Sequence, residues 1–174
     1  MKKILLVLLA VGLLVSITAC SDDPSGIDGD LTGSLEEILK KIYENGNLNE
    51  DFLNQMLPGL YTTIINEDNM EYYLGKSGLN IIEAIASEHE MNTVAFSLSL
   101  IRVKPEDVES VKKAVKDNID PFKWLCVGVE DENVRVENIG DVIILVMSNS
   151  DAESLLDAFR RGLPEQPPWA GVRG

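Results

Sequence analysis

"VAFSLSLIRVKPEDVESVKKAVKDNI", residues 94–119, changes its hydrophobic period halfway along, and that change decides the fold class. In the first half, Val94, Phe96, Leu98 and Leu100 alternate with Ala95, Ser97 and Ser99, the period of two that marks a strand with one buried face. From Lys104 the period becomes helical. Pro105 suits a first turn, Glu106 and Asp107 complement its positive end, and Lys112, Lys113 and Lys116 follow. Val108, Val111, Val115 and Ile119 form the apolar stripe of that helix.

The flanks extend the pattern. "LNIIEAIASE" from Leu79 reads as a strand preceding the one at 94, with "EHEMN" as the connection. A second round follows: "NVRVENIGDVIILVMS" reads as two strands joined near Asn138–Asp141, and "SDAESLLDAFRRGLP" as a helix. That helix carries a Ser150 to Glu153 capping-box pattern, Leu155, Leu156 and Phe159 on its buried side, and Gly162 and Pro164 as stop signals. Nearer the start, "SLEE" from Ser34 is another capping box, and Leu35, Ile38, Leu39 and Ile42 recur at helical spacing. Between 49 and 77, "DFLNQML" and "DNMEYYLG" suggest single helical turns and the rest gives no assignment. The expectation is an α+β fold: strand–strand–helix twice over, about four antiparallel strands in two layers with helices on one face, plus an N-terminal helical segment.

The chain's first residues read as an address. Lys2 and Lys3, the apolar run Ile4–Val15 and then small residues have the order of a secretory signal peptide. The run is too short for a transmembrane helix, which needs roughly 20 residues. Ile17, Thr18, Ala19 and Cys20 resemble the lipobox of bacterial lipoproteins, and that resemblance implies cleavage before Cys20 and a diacylglyceryl thioether on its sulfur. The plainer reading is ordinary secretion with cleavage near Ala19. The expected organisation is a signal peptide over 1–19, a lipidated Cys20 opening a flexible acidic tether over 20–33, one domain over 34–162 and a Pro-rich tail over 163–174 that includes Trp169. With Cys20 alkylated, Cys126 in "KWLCVGV" has no partner and reads as a small buried hydrophobe.

Composition restricts the partners. The net charge of −14 becomes about −16 once a leader with two lysines and no acids is removed, which disfavours nucleic acid and anionic headgroups as ligands. Asp28, Asp30, Thr32 and Gly33 fit the first positions of an EF-hand loop, but position 12 is Leu39 where a bidentate Glu is needed. No phosphate-cradling Gly-rich loop occurs, and the single histidine, His89, argues against a zinc cluster or a Ser–His relay. No cofactor, metal or catalytic residue is assigned. Carboxylates are plentiful without a distinguished pair, so a carboxylate-based hydrolase of cell-envelope polymers stands as the alternative function. Tyr72, Tyr73, Phe122 and Trp124 are candidates for lining a peptide or glycan groove, and the competing reading makes them plugs of a small core.

Taken together, the lipobox, the tether, "NMEYYLG", "VAFSLSLIRVK", "DPFKWLCVGVEDENVRV" and "GDVIILVMS" resemble a group of small bacterial lipoproteins carrying a domain of unknown function, mostly from Gram-positive anaerobes. The resemblance covers most of residues 34–162 and implies the organisation and an address on the outer face of the cell membrane, without an activity. The expected function is a membrane-anchored, non-enzymatic binding or assembly module for another envelope protein or peptide.

Overall fold

The computed structural model describes residues 31–162 and the backbone of residues 26–27. Cys20, Asp28, Asp30, Trp169 and the expected tail lie outside the described residues. Helix α1, Leu35–Asn45, begins at the expected capping box: the Glu37 N–H donates to Ser34 Oγ (3.2 Å) and the Ser34 N–H to Glu37 Oε2 (3.1 Å). Two short turns, Phe52–Met56 and Leu57–Gly59, lead into strand β2, Leu60–Ile64, and the single-turn helix α2, Met70–Leu74. Then come β3, Glu83–His89, β4, Phe96–Arg102, and α3, Val108–Asn118. The hairpin β5, Val134–Ile139, and β6, Val142–Ser148, precedes α4, Ala152–Arg161. A two-residue segment, β1, Gly26–Ile27, pairs parallel to the end of β5.

The sheet runs β1-β5-β6-β4-β3-β2, and β2 to β6 pair antiparallel throughout. The α+β class and the antiparallel sheet are as expected, but five strands take part in the antiparallel sheet instead of four. The added strand is "LYTTI" of β2, an edge strand exposed on both faces, so no buried period marked it in the sequence.

The two expected layers are three. One face of the sheet, Ile85, Phe96, Leu98, Leu100, Ile144 and Val146, packs under α1 and α4. The other, Ala84, Ala86, Ile101, Ile143, Leu145 and Met147, packs under α2 and α3 with Trp124. Ser97 and Ser99, read from the alternation as solvent-facing, are fully buried on this second face. Period two reports the contrast between the faces and not whether the polar one is wet; every residue of "VIILVMS" is buried, as a strand covered on both sides requires.

Three local expectations also change. The strand expected from Leu79 starts at Glu83. The Ser150 to Glu153 capping box does not form: Asp151 is the N-cap residue, Ser150 Oγ donates to its carboxylate, and Glu153 pairs with Arg135 (3.3 Å) and Arg160 (2.9 Å). Leu31, inside the expected tether, is buried in the core, and Arg102 donates to the Gly33 carbonyl (2.9 Å), so packing begins ahead of residue 34.

Candidate functional site

Three places on the molecule bring functional groups together. The first contains the expected aromatics. Helix α2 ends at Gly75 in the left-handed region (φ 80°), where a Cβ would lie 2.3 Å from the Asn118 backbone, so Tyr72 and Tyr73 are carried close against the end of α3. The connection after α3 brings Trp124 to the same spot. The centre of the group is Lys123, whose Nζ lies 4.5, 5.1 and 5.2 Å from the ring centroids of Tyr72, Tyr73 and Trp124. It lies 2.5 Å from Glu88 Oε1, and both side chains are only 4% exposed. Charge attraction and a charge-assisted hydrogen bond both act across this contact; Nζ also donates to Ser97 Oγ (3.3 Å), and the Tyr72 hydroxyl donates to Glu88 Oε2 (3.2 Å).

Burial pushes the Lys123 amine below its ordinary range while Glu88 pulls it back up. Burial, with the Glu88 charge second, holds the Tyr72 hydroxyl well above the usual tyrosine range. Tyr61 on β2, sharing this face, is pushed up to about 12 by burial, then by Tyr73 and Glu88. Three of the four expected groove residues therefore meet, and the chain's own lysine fills the space between them. Phe122 does not join: it is 66% exposed and lies over Gly128, where a Cβ would come within 2.2 Å of its ring. Cys126, expected buried, is exposed with φ 62°, because the "KWLCVGV" segment is a loop and not a strand. Lys123 was missed because a lysine between two aromatics looks like any surface lysine until Glu88 is placed beside it.

The second place is a pocket of about 290 Å³ bounded by Phe52, Met56, His89, Met91, Ser150 and Asp151. His89 Nδ1 accepts the Met91 N–H (3.0 Å), which places the proton of the neutral ring on Nε2; a Cβ on Gly59 would come within 2.2 Å of that nitrogen. Asp151 accepts from the Asn49 N–H (3.2 Å), from Asn49 Nδ2 (2.9 Å to each oxygen) and from Ser150 Oγ. The serine thus serves the carboxylate, and both carboxylate oxygens are engaged in joining the start of α4 to the segment after α1.

The third place is the free edge of the sheet. In the β2–β3 ladder the bonds from the Ile65 N–H to the Ala84 carbonyl (2.9 Å) and from the Glu90 N–H to the Gly59 carbonyl (2.9 Å) fix which residues face inward. Tyr61 and Thr63 turn their backbone groups to β3, so Leu60, Thr62 and Ile64 turn theirs outward. Among these, the Leu60 N–H bonds the Leu57 carbonyl, and the Ile64 carbonyl accepts from Asn69 Nδ2 (3.0 Å). That leaves the Leu60 carbonyl, both groups of Thr62 and the Ile64 N–H without a partner among the described residues. Beside this edge runs a groove of about 310 Å³ between α1 and β2, walled by Leu39, Lys40, Tyr43, Leu60 and Thr62 with Ser87 at its floor. The Tyr43 hydroxyl is buried against Ser87, and burial raises it above the tyrosine range while Ser87 pulls it back.

Among the described residues no group of three or more His, Cys, Asp or Glu stands ready to hold a metal ion, and no helix is long and apolar enough to cross a membrane. Comparison with known protein families, curated proteins and solved structures finds nothing that matches this chain.

Proposed function

We propose that this chain is an extracytoplasmic lipoprotein, held on the outer face of the cell membrane by lipid on Cys20, whose domain is a non-enzymatic docking module for an extended segment of another envelope protein. The observation that carries the reading is the row of outward backbone groups on β2 beside the α1 groove. Strand addition at an open edge takes its affinity from main-chain hydrogen bonds and its specificity from side-chain pockets next to them. Soluble proteins ordinarily protect such edges with lysine, proline or a bulge, and "LYTTI" has no charge and no proline. The hydrolase alternative has less behind it, since the buried carboxylate of the pocket, Asp151, is already saturated.

A photo-crosslinking residue in place of Thr62, in the full chain in its native membranes, tests the docking site. Adducts with another envelope protein are expected. Thr62→Pro, which removes an outward N–H that the fold does not use, should weaken capture roughly tenfold, the equivalent of one or two net hydrogen bonds. No adduct above that of a crosslinker placed at Lys76 would end the reading. Anchoring is tested separately: Cys20→Ser abolishes fatty-acid labelling, and persistent labelling removes Cys20 as the anchor.

A further inference from the structure

The unpartnered groups on β2 are symmetric about Thr62. In an antiparallel pairing of two β2 strands with Thr62 opposite Thr62, the two threonines exchange both backbone hydrogen bonds. Two residues along, each Ile64 N–H meets the Leu60 carbonyl of the other copy. The groups that this register would leave facing each other without need, the Leu60 N–H and the Ile64 carbonyl, are the two already satisfied within the chain by Leu57 and Asn69. Four hydrogen bonds form and no edge group is stranded.

The side chains agree with the same register. Ile64, at 70% the most exposed large apolar side chain among the described residues, comes opposite Leu60 of the second copy, on the face that carries α1. On the other face Tyr61 comes opposite Thr63, an aromatic against a β-branched residue, a favourable cross-strand pair. The two-fold axis stands perpendicular to the sheet, so both α1 helices lie on one side of a continuous sheet of two copies. Because α1 packs over β3 and β4, the space above the joined β2 strands stays clear. From this self-complementarity we infer that β2 is the interface of a symmetric dimer, in which a second copy of this chain occupies the edge until a client segment displaces it. The inference rests on the reading of β2 as the docking edge and adds what covers that edge beforehand.

Like net negative charges, −14 with the leader and more negative without its two lysines, oppose the pairing in free solution, so the dimer fraction should rise with salt. Anchoring on one surface supplies the local concentration that a five-residue interface needs. The test uses the full chain in membranes with Cys126→Ser, which removes the exposed native thiol. Opposed hydrogen-bonded residues bring their Cα atoms to about 5.5 Å, within disulfide range. Thr62→Cys should therefore form a disulfide-linked dimer at least tenfold faster than Lys76→Cys. Ile64→Cys should not, since its two copies lie about 13 Å apart along the strands. Thr62→Cys crosslinking no faster than Lys76→Cys, or slower than Ile64→Cys, overturns the dimer. The photo-crosslinker at Thr62 separates the two ideas by mass: a copy–copy adduct alone supports the dimer and removes the client, and heterologous adducts alone keep the client and remove the dimer.

Discussion

The two faces of the sheet are built on different terms. Under α1 and α4 the strands present Phe96, Leu98, Leu100, Ile144 and Val146, and Phe52 meets Phe96 edge-on at 5.2 Å; the centre there is apolar, with Ser87, Ser148 and Asp151 buried at its margins. Under α2 and α3, β3 and β4 present Ala84, Ala86, Ser97 and Ser99, and the room left by these small residues admits Lys123, Glu88 and three aromatic rings. The first face tolerates change in proportion to the volume lost. The second depends on pairing, since a buried charge without its partner costs far more than the pair contributes.

The largest expected effect is on the second face. Lys123→Ala leaves Glu88 buried and unpaired and should lower unfolding stability by about 3–5 kcal/mol in urea titration, whereas Lys123→Met with Glu88→Leu should come out near neutral. A single-variant loss below about 1 kcal/mol would put the two faces on the same footing. Next, Leu98→Ala on the apolar face should cost about 3 kcal/mol from lost transfer and the cavity left behind, with no rescue by a second polar change.

Alkaline pH acts through the second face and its margin. The Tyr61 proton is held in the folded chain to about 12 but released near the ordinary 10.0 when unfolded, and Tyr72 is shifted the same way. The folded state binds more protons in that window, so their contribution is complete below pH 10 and declines as pH rises through the folded values. Lys123 has the opposite sign: its amine is depressed in the folded chain, so its burial costs stability below the folded value and less as pH approaches its ordinary 10.5. Phenolate absorbance of the native protein should therefore lag that of the denatured chain between pH 10 and 12, and coincident curves would contradict the upward shift of these half-exposed tyrosines. The smallest effect is at Ser99, whose Oγ is buried without a hydrogen-bond partner among the described residues: Ser99→Ala should change stability by less than about 0.5 kcal/mol or raise it.

Much of the fold was legible before any coordinates. The period switch at Lys104, the stripe of α3, the β5–β6 hairpin and the Ser34 capping box all appear where the residues point, because each rests on contacts within a turn or along one strand. At α4 the same logic succeeded for the helix and failed for its cap. Ser150 and Glu153 have the spacing, but Asp151 is drawn to Asn49 and Glu153 to Arg135 and Arg160, partners far away in the chain. The candidate site was less visible. Tyr72, Tyr73 and Trp124 do converge, but Lys123 and Glu88 carry no signal in their own segments.

The sequence by itself determined the α+β class and the places of α1, α3, α4, β4 and the β5–β6 hairpin, since periodicity and helix-start signals are properties of short stretches. Only the tertiary structure decided that both sheet faces are covered, that Lys123 fills the aromatic cluster, and that Leu60, Thr62 and Ile64 are left at an open edge. The reason is that a backbone group is free, or a charge paired, only relative to whichever strand or side chain the whole fold brings beside it.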